Sequence, residues 1–421
     1  MFGNFDLKKN NKKGCNKCLE NIISIFEEVE IINHFQPIIS VTKNTVIGYE
    51  SLCRGLCKNC RRIIQPLELF SKLKDEKELF ELDLRARFKA IEFFDKALSK
   101  NKEHLLFFNF DANLIEKKID SSETLLDFCK NTKVRANNIV IEITESKPCK
   151  LDRLMNFVEE CRKYGFLIAL DDVGTGYSNF DRISAIKPDI IKLDRSIIEN
   201  LDKDYHKKVI FRSMSRLAGK MGILLLAEGV ETEDEVLYSL ELGADLLQGF
   251  YFARPEEINP DFQPTLEKEL SYIENVYRDY KIDRIKVLRE NHKIYDETLN
   301  LISGALLEKE ETEFDELLAN YVDKHEFIES LYIINEKGVQ VTDSYLNYNL
   351  CKIKPKIYKI FKKGDSHYYK EYFYLLQERI LDKFTTDTYF SYITGGLCKT
   401  ISLSFTSKNQ EKYVLCMNIK E

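Results

Sequence analysis

Polar side chains stand at or near the ends of a series of apolar runs. They are Glu50 in VIGYESLC, Asn109 in HLLFFNF, Glu142 in NIVIEIT, Asp171 in GFLIALD, Lys192 in DIIKLD, Glu228 in GILLLAEG and Gln248 in ADLLQGF. One acid after a strand is ordinarily a helix cap or a loop residue. Repetition on successive runs points to a shared site instead. The donors are oxygens accompanied by a single ammonium, and the histidines form no HxxxH or HxH pair. Such a set suits hard cations such as Mg²⁺ or Mn²⁺ and argues against a zinc-type imidazole cluster. No serine or cysteine shares a motif with a base that could activate it. The stretch GYESLCRG adds a further demand. Read as a strand, it puts Glu50, Leu52 and Arg54 on one face, and a buried glutamate and arginine there need a partner.

The elements that must position these groups follow from the alternation between about Ile31 and Pro255. Eight apolar runs, FQPIISV being the first, alternate with amphipathic patterns such as LDRLMNFVEECRKY and HKKVIFRSMSRLAGKM. That order predicts an α/β fold, a TIM-like (β/α) barrel whose C-terminal rim carries the polar groups. Only a TKNT turn separates the first two runs, so they should form a hairpin and one strand should be antiparallel. Pro260 and Pro264 mark a linker, and a charged helical pattern follows. In it Leu288, His292, Tyr295, Leu299, Ile302 and Leu306 are spaced as a packed seam. The seam serves either packing within the chain or a dimer. ESLYIINEKGVQVTDS and KTISLSFTSKNQEKYVLCMNIK then predict strand–turn–strand units in a smaller α+β domain. The expected organisation is an N-terminal tail or helix at 1–30, the barrel at 31–260, a connecting helix at 265–308 and the α+β domain at 309–421.

The chain has 421 residues, 44% hydrophobic and 31% charged, with net charge -6. This is the composition of a folded protein, and its acidity argues against general nucleic-acid binding. The clear basic run, KKNNKK from Lys8 to Lys13, lies in a polar tail. No signal-peptide core and no apolar stretch of about 18 residues is present, so a cytoplasmic location without membrane insertion is expected. The eleven cysteines should then be mostly reduced. Two CxxC pairs, Cys15 with Cys18 and Cys57 with Cys60, are compatible with a structural Zn²⁺, with unrelated thiols or with a redox pair.

GYESLCRG, EITE (Glu142 to Glu145), DDVGTGYSN (Asp171 to Asn179), KLD (Lys192 to Asp194), AEGVE (Ala227 to Glu231) and QGFYFARP (Gln248 to Pro255) resemble, in order, the motifs of EAL-domain cyclic-di-GMP phosphodiesterases. Ser51 replaces the usual alanine, Val173 the usual phenylalanine, and DAN follows Asn109 differently from the family pattern. The resemblance implies two Mg²⁺ or Mn²⁺ ions per site and hydrolysis of cyclic di-GMP to linear pGpG. The alternative it leaves is a weak or inactive EAL-fold receptor for the same nucleotide. It implies that Glu50, Asn109, Glu142 and Asp171 hold one metal. Asp171 would bridge to the second, held also by Asp172 and Glu228. Lys192 would orient the attacking water, and Glu228 would act as general base or as a ligand only. Arg54 would meet a phosphate, Leu52 would form the floor, and Gln36 would touch a guanine. Asp194, Glu231 and Gln248 match positions near the substrate, or are polar groups satisfied by backbone. GTGYSN would be a mobile lid, anchored by Glu145, that controls metal binding and dimer coupling. Residues from about 310 to 421 resemble the PAS-like module joined to EAL domains in some Gram-positive proteins. No GGDEF-type block is present. The implied partners are cyclic di-GMP and a second copy of the chain in a homodimer.

Overall fold

The apolar runs form strands that close on themselves. They are β1 (Val29–Ser40), β2 (Thr45–Cys57), β4 (Leu105–Phe110), β5 (Ile139–Thr144), β6 (Leu167–Val173), β7 (Ile190–Leu193), β8 (Leu224–Glu228) and β9 (Leu246–Gln248). A two-residue strand, β3 (Ile63–Ile64), pairs beside the end of β2. The ring runs β1-β9-β8-β7-β6-β5-β4-β2 and closes because β1 also pairs with β2. β1 is antiparallel to both of its neighbours, and the other pairings around the ring are parallel. The expected barrel with one antiparallel strand is the fold observed. This computed structural model describes residues 25–73, 75–97, 103–110, 122–144, 150–174, 180–257, 262–350, 360–377, 381–391 and 393–420.

Alternation along each strand sorts the side chains. Ile38, Phe107, Val140, Ala169, Ile190, Leu226 and Leu246 form a buried apolar cluster of their own inside the barrel. On the parallel strands the next inward position is polar: Asn109 after Phe107, Glu142 after Val140, Asp171 after Ala169, Lys192 after Ile190, Glu228 after Leu226 and Gln248 after Leu246. A dry floor thus carries a polar layer one rung above it. On the antiparallel β1 the order reverses, so Gln36 precedes Ile38 and pairs across from Glu50.

The outward residues of the strands pack on the helices. In the helix Leu151–Tyr164, Leu154, Phe157, Val158 and Cys161 are buried at the 3–4 spacing of an amphipathic face. Phe110 meets Phe157 with ring centroids 4.6 Å apart. The helix ends at Gly165, whose φ of 93° suits the left-handed cap.

The chain divides into two units, Met1–Lys281 and Ile282–Glu421. In the second, an antiparallel sheet of order β11-β10-β15-β14-β12, with β13 beside β14, carries the core. Its strands are β10 (Ile328–Asn335), β11 (Tyr345–Leu346), β12 (Lys383–Thr385), β13 (Tyr389–Phe390), β14 (Leu397–Thr406) and β15 (Lys412–Lys420). The expected closing hairpin is β14–β15. The first expected hairpin is cut short. Val341 N still donates to the Ile333 carbonyl, but Ile333 N donates to the hydroxyl of Thr342 in place of a backbone carbonyl.

The expected long helix runs Phe262–Leu306. Leu266, Leu270 and Ile273 join the core of the first unit, and Leu299, Ile302 and Leu306 that of the second. The seam read from Leu288 onward is buried only in its C-terminal part, for Leu288 is 45% exposed. No helix among the described residues is long and apolar enough to cross a membrane.

Gly48 marks where β2 meets β4 most tightly: a Cβ there would lie 2.4 Å from the Leu105 carbonyl oxygen. Gly48→Ala should therefore destabilise the barrel by about 1–3 kcal/mol, read as a lowered urea midpoint. An unchanged midpoint would show that the strands separate freely.

Candidate active site

The centre of the site is Lys192, an inward position of β7 and 1% exposed. Its ammonium lies 2.5 Å from Glu228, 2.6 Å from Glu142, 3.1 Å from Asp171 and 3.7 Å from Glu50. Three N–H bonds cannot serve four carboxylates. Both oxygens of the fully buried Glu142 and Oδ1 of Asp171 accept no hydrogen bond from any described residue. The Lys192 ammonium is close to Glu142 Oε1 and Asp171 Oδ1 but off the direction such a bond requires.

Asp171 and Asp172 are adjacent on β6, and a regular strand would send them to opposite faces. Here the register of β6 against β7 shifts between Leu170 and Val173. Asp172 takes φ 55°, in the left-handed region. This bulge turns both carboxylates toward Glu228, so that one oxygen from each of the three lies within 4.8 Å of the others. Gly174, at φ 116°, continues the reversal.

On the hairpin side, Gln248 donates to Glu50 Oε2 at 2.5 Å and to Gln36 Oε1 at 3.1 Å. Gln36 donates to the Ala253 carbonyl at 2.9 Å, and Asn109 donates to Glu50 Oε1 at 3.3 Å. The structure thus brings Gln36, Glu50, Asn109, Glu142, Asp171, Asp172, Lys192, Glu228 and Gln248 onto one rim. Leu52 and Arg54 follow Glu50 along β2 and are half-buried, with Arg54 donating to the Cys53 carbonyl at 2.8 Å. Ser51 points away and accepts from Asn33 at 2.7 Å.

Asp194 and Glu231 have local partners. Asp194 caps the helix Arg195–Ile198 by accepting from Ser196 N at 2.8 Å. Glu231 is ion-paired with Arg195 at 3.0 Å. Glu145 and Thr175 to Asn179 of the expected lid lie outside the described residues, as do Cys15 and Cys18. Cys57 is buried at the end of β2, and Cys60 is exposed in the following turn. Sequence reading passed over Glu235, which holds the loop after β8. The signal was there, since Thr232-x-x-Glu235 has the spacing of a capping box.

Crowding sets the electrostatics. Burial, then the charge of Glu50, pushes the Glu142 carboxyl well above the usual range, against the pull of Lys192. Burial likewise raises Glu228, with Lys192 opposing and Asp171 adding. Burial alone would lower Lys192, but Asp171, Glu142, Glu228 and Glu50 together hold it well above its ordinary value. If Glu50, Glu142, Asp171, Asp172 and Glu228 all ionise against one ammonium, the excess negative charge is that of two dications. The carboxylate donors, the orphaned oxygens and this excess all fit divalent cations.

A family model described as "EAL domain" matches residues 20–255. This chain belongs to the EAL domain family. It is 28% identical over 263 residues to the uncharacterized EAL-domain containing protein YkuI of Bacillus subtilis, covering 59% of this chain and 63% of that protein. It is 29% identical over 239 residues to the probable cyclic di-GMP phosphodiesterase PdeI of Escherichia coli, covering 56% of this chain and 30% of that protein. With the cyclic di-GMP phosphodiesterase PdeA of Borreliella burgdorferi it shares 26% over 250 residues, 58% of this chain and 37% of that protein. The chain thus spans less than two thirds of each of these relatives. The crystal structure of YkuI, solved with cyclic di-GMP and calcium, superposes with a TM-score of 0.77 over 93% of this chain and 96% of that one. At 24% identity, that match establishes a common EAL-type fold.

Asp172 offers a test of the charge balance. Burial, with repulsion from Asp171 and Asp194, lifts its pKa from 3.8 to about 6. Metal-free folded protein holds this proton more tightly than the unfolded chain. The resulting stabilisation is present at low pH and is lost as pH rises from about 4 through about 6. A bound dication favours the ionised form and reverses that trend. Metal-free protein should therefore melt lower at about pH 7 than at about pH 5, and the rise produced by Mn²⁺ should grow over that interval in scanning fluorimetry. A Mn²⁺ effect independent of pH would contradict this.

Proposed function

We propose that this protein is a metal-dependent phosphodiesterase that hydrolyses cyclic di-GMP to linear pGpG. The observation that carries the reading is the convergence of Glu50, Glu142, Asp171, Asp172 and Glu228 around Lys192, with oxygens left unsatisfied. Membership of the EAL family and the names of its relatives support the substrate.

Glu50, Asn109, Glu142 and Asp171 would hold one Mg²⁺ or Mn²⁺, and Asp171, Asp172 and Glu228 a second. Two such ions, when bound, neutralise phosphate charge and lower the pKa of a shared water. Lys192 orients the attacking water with its ammonium, held in place by the carboxylates around it. Glu228, held ionised when a cation is bound beside it, is the candidate to take the proton of that water, the other reading being that it serves as a ligand only. Arg54 reaches a substrate phosphate as a fixed positive charge. Gln36, whose amide oxygen is held by Gln248, keeps one amide hydrogen for a guanine, and Gln248 acts by holding Gln36 and Glu50 in place. Asp194 and Glu231 act through the loops they hold.

The second unit is the PAS-like regulator in this reading, and the chain works as a homodimer in the cytoplasm. Ile282, Ile285 and Leu288, each about half exposed on the long helix, support pairing with a second copy. The Zn²⁺ reading keeps Cys57 and Cys60 as two of its four ligands, Cys15 and Cys18 being the others.

Purified protein incubated with cyclic di-GMP and Mg²⁺ or Mn²⁺ should yield pGpG. Glu50→Ala should lose more than the 10–100-fold typical of an outer-shell change. Binding without product would favour the receptor alternative, and full activity in Glu50→Ala would remove Glu50 from the site.

A further inference from the structure

We infer that Glu235 is a positioning residue for the Glu228 side of the metal site, clamping the loop after β8 to the loop after β7 together with Arg195. The inference rests on the metal-dependent reading above.

Glu235 lies in the first turn of the helix Glu233–Leu242 and is 5% exposed. A capping box asks such a residue to accept from the cap's own backbone, and Glu235 does so from Thr232 N at 3.3 Å. It does two things more. Oε2 also accepts from Glu231 N at 2.8 Å, and Oε1 accepts from Asn200 N at 3.1 Å. Asn200 belongs to the loop that follows β7 and its helix Arg195–Ile198. One buried carboxylate therefore ties two rim loops together through three backbone N–H groups.

Arg195 makes the same connection from the other side. Its guanidinium donates to the Gly229 carbonyl and pairs with Glu231 at 3.0 Å. Gly229, the residue immediately after Glu228, has φ 72°, and a Cβ there would lie 2.9 Å from Cβ of Arg195. Asn200 has φ 57° without being glycine. Glycine and asparagine are residue types that take the left-handed region readily, so each loop turns here at a residue suited to it. Across the other flank, Val230 N donates to the Gln248 carbonyl at 3.1 Å. From Gly229 to Thr232 the chain is thus held at nearly every residue. The direction in which Glu228 leaves β8, and with it the spacing to Asp171 and Asp172, follows from that hold.

A glutamine at 235 keeps the shape but gives up one accepting oxygen, so at least one of the three N–H groups loses its partner. The test uses full-length wild type, Glu235→Gln and Arg195→Ala, each titrated with Mn²⁺ by electron paramagnetic resonance without nucleotide. Metal-free melting curves and turnover of cyclic di-GMP are measured in parallel. Wild type should bind two ions. Both variants should bind one of them about 10–100-fold more weakly and the other as wild type does. A helix cap alone would lower the melting curve and leave both affinities unchanged, and that result in Glu235→Gln overturns the inference. Should Glu235→Gln fail to fold, the half-exposed Arg195→Ala decides by the same criterion. If wild type itself binds no ion pair and yields no pGpG, the underlying metal-dependent reading falls, which is a different result from two intact sites in the variant.

Discussion

A single ammonium enclosed by carboxylates is the constraint on which the rest of the site depends. Burying a carboxylate is costly unless it is paired, and Lys192 alone cannot pair Glu142, Glu228, Asp171 and Glu50. The raised pKa values of Glu142 and Glu228 are the mark of that shortfall. A protein selected for stability alone would fill these positions with apolar side chains, as it does one rung below. The polar layer is retained where positive charge is to be received.

The barrel makes the crowding geometrically unavoidable. Each parallel strand contributes an inward polar residue, two positions after an apolar one on all but β2, where Glu50 follows Gly48. Closure through the antiparallel β1 brings Gln36 across from Glu50 and puts Gln248 beside both. Two local departures from regularity complete the arrangement. Gly48 lets β2 approach β4 at a distance no side chain would allow. The bulge at Asp171 and Asp172 lets neighbouring residues serve the same centre.

The strands, the hairpin and most of the rim were legible from the order of apolar runs and the polar residue closing each. That pattern is a direct consequence of burial on both faces of a parallel strand. Asp172 was reachable only through family resemblance, because strict alternation sends it outward and nothing local announces the bulge. The capping-box spacing of Thr232 and Glu235 was legible, but the tie from Glu235 to Asn200, 35 residues away, leaves no spacing signal. The seam on the long helix was half legible. Its spacing is uniform from Leu288 to Leu306, yet only the later residues meet a core. The shortened hairpin after β10 turned on one hydroxyl, Thr342, taking the place of a backbone acceptor. Polar side chains that compete with backbone partners are hard to foresee from pattern alone.

The most direct measurement is anomalous diffraction from crystals soaked in manganese. Two peaks about 3.5–4 Å apart, between the Glu50–Glu142 side and the Asp172–Glu228 side with Asp171 between them, are the expected result. The same carboxylates ordered as here with no anomalous density among them would contradict the account.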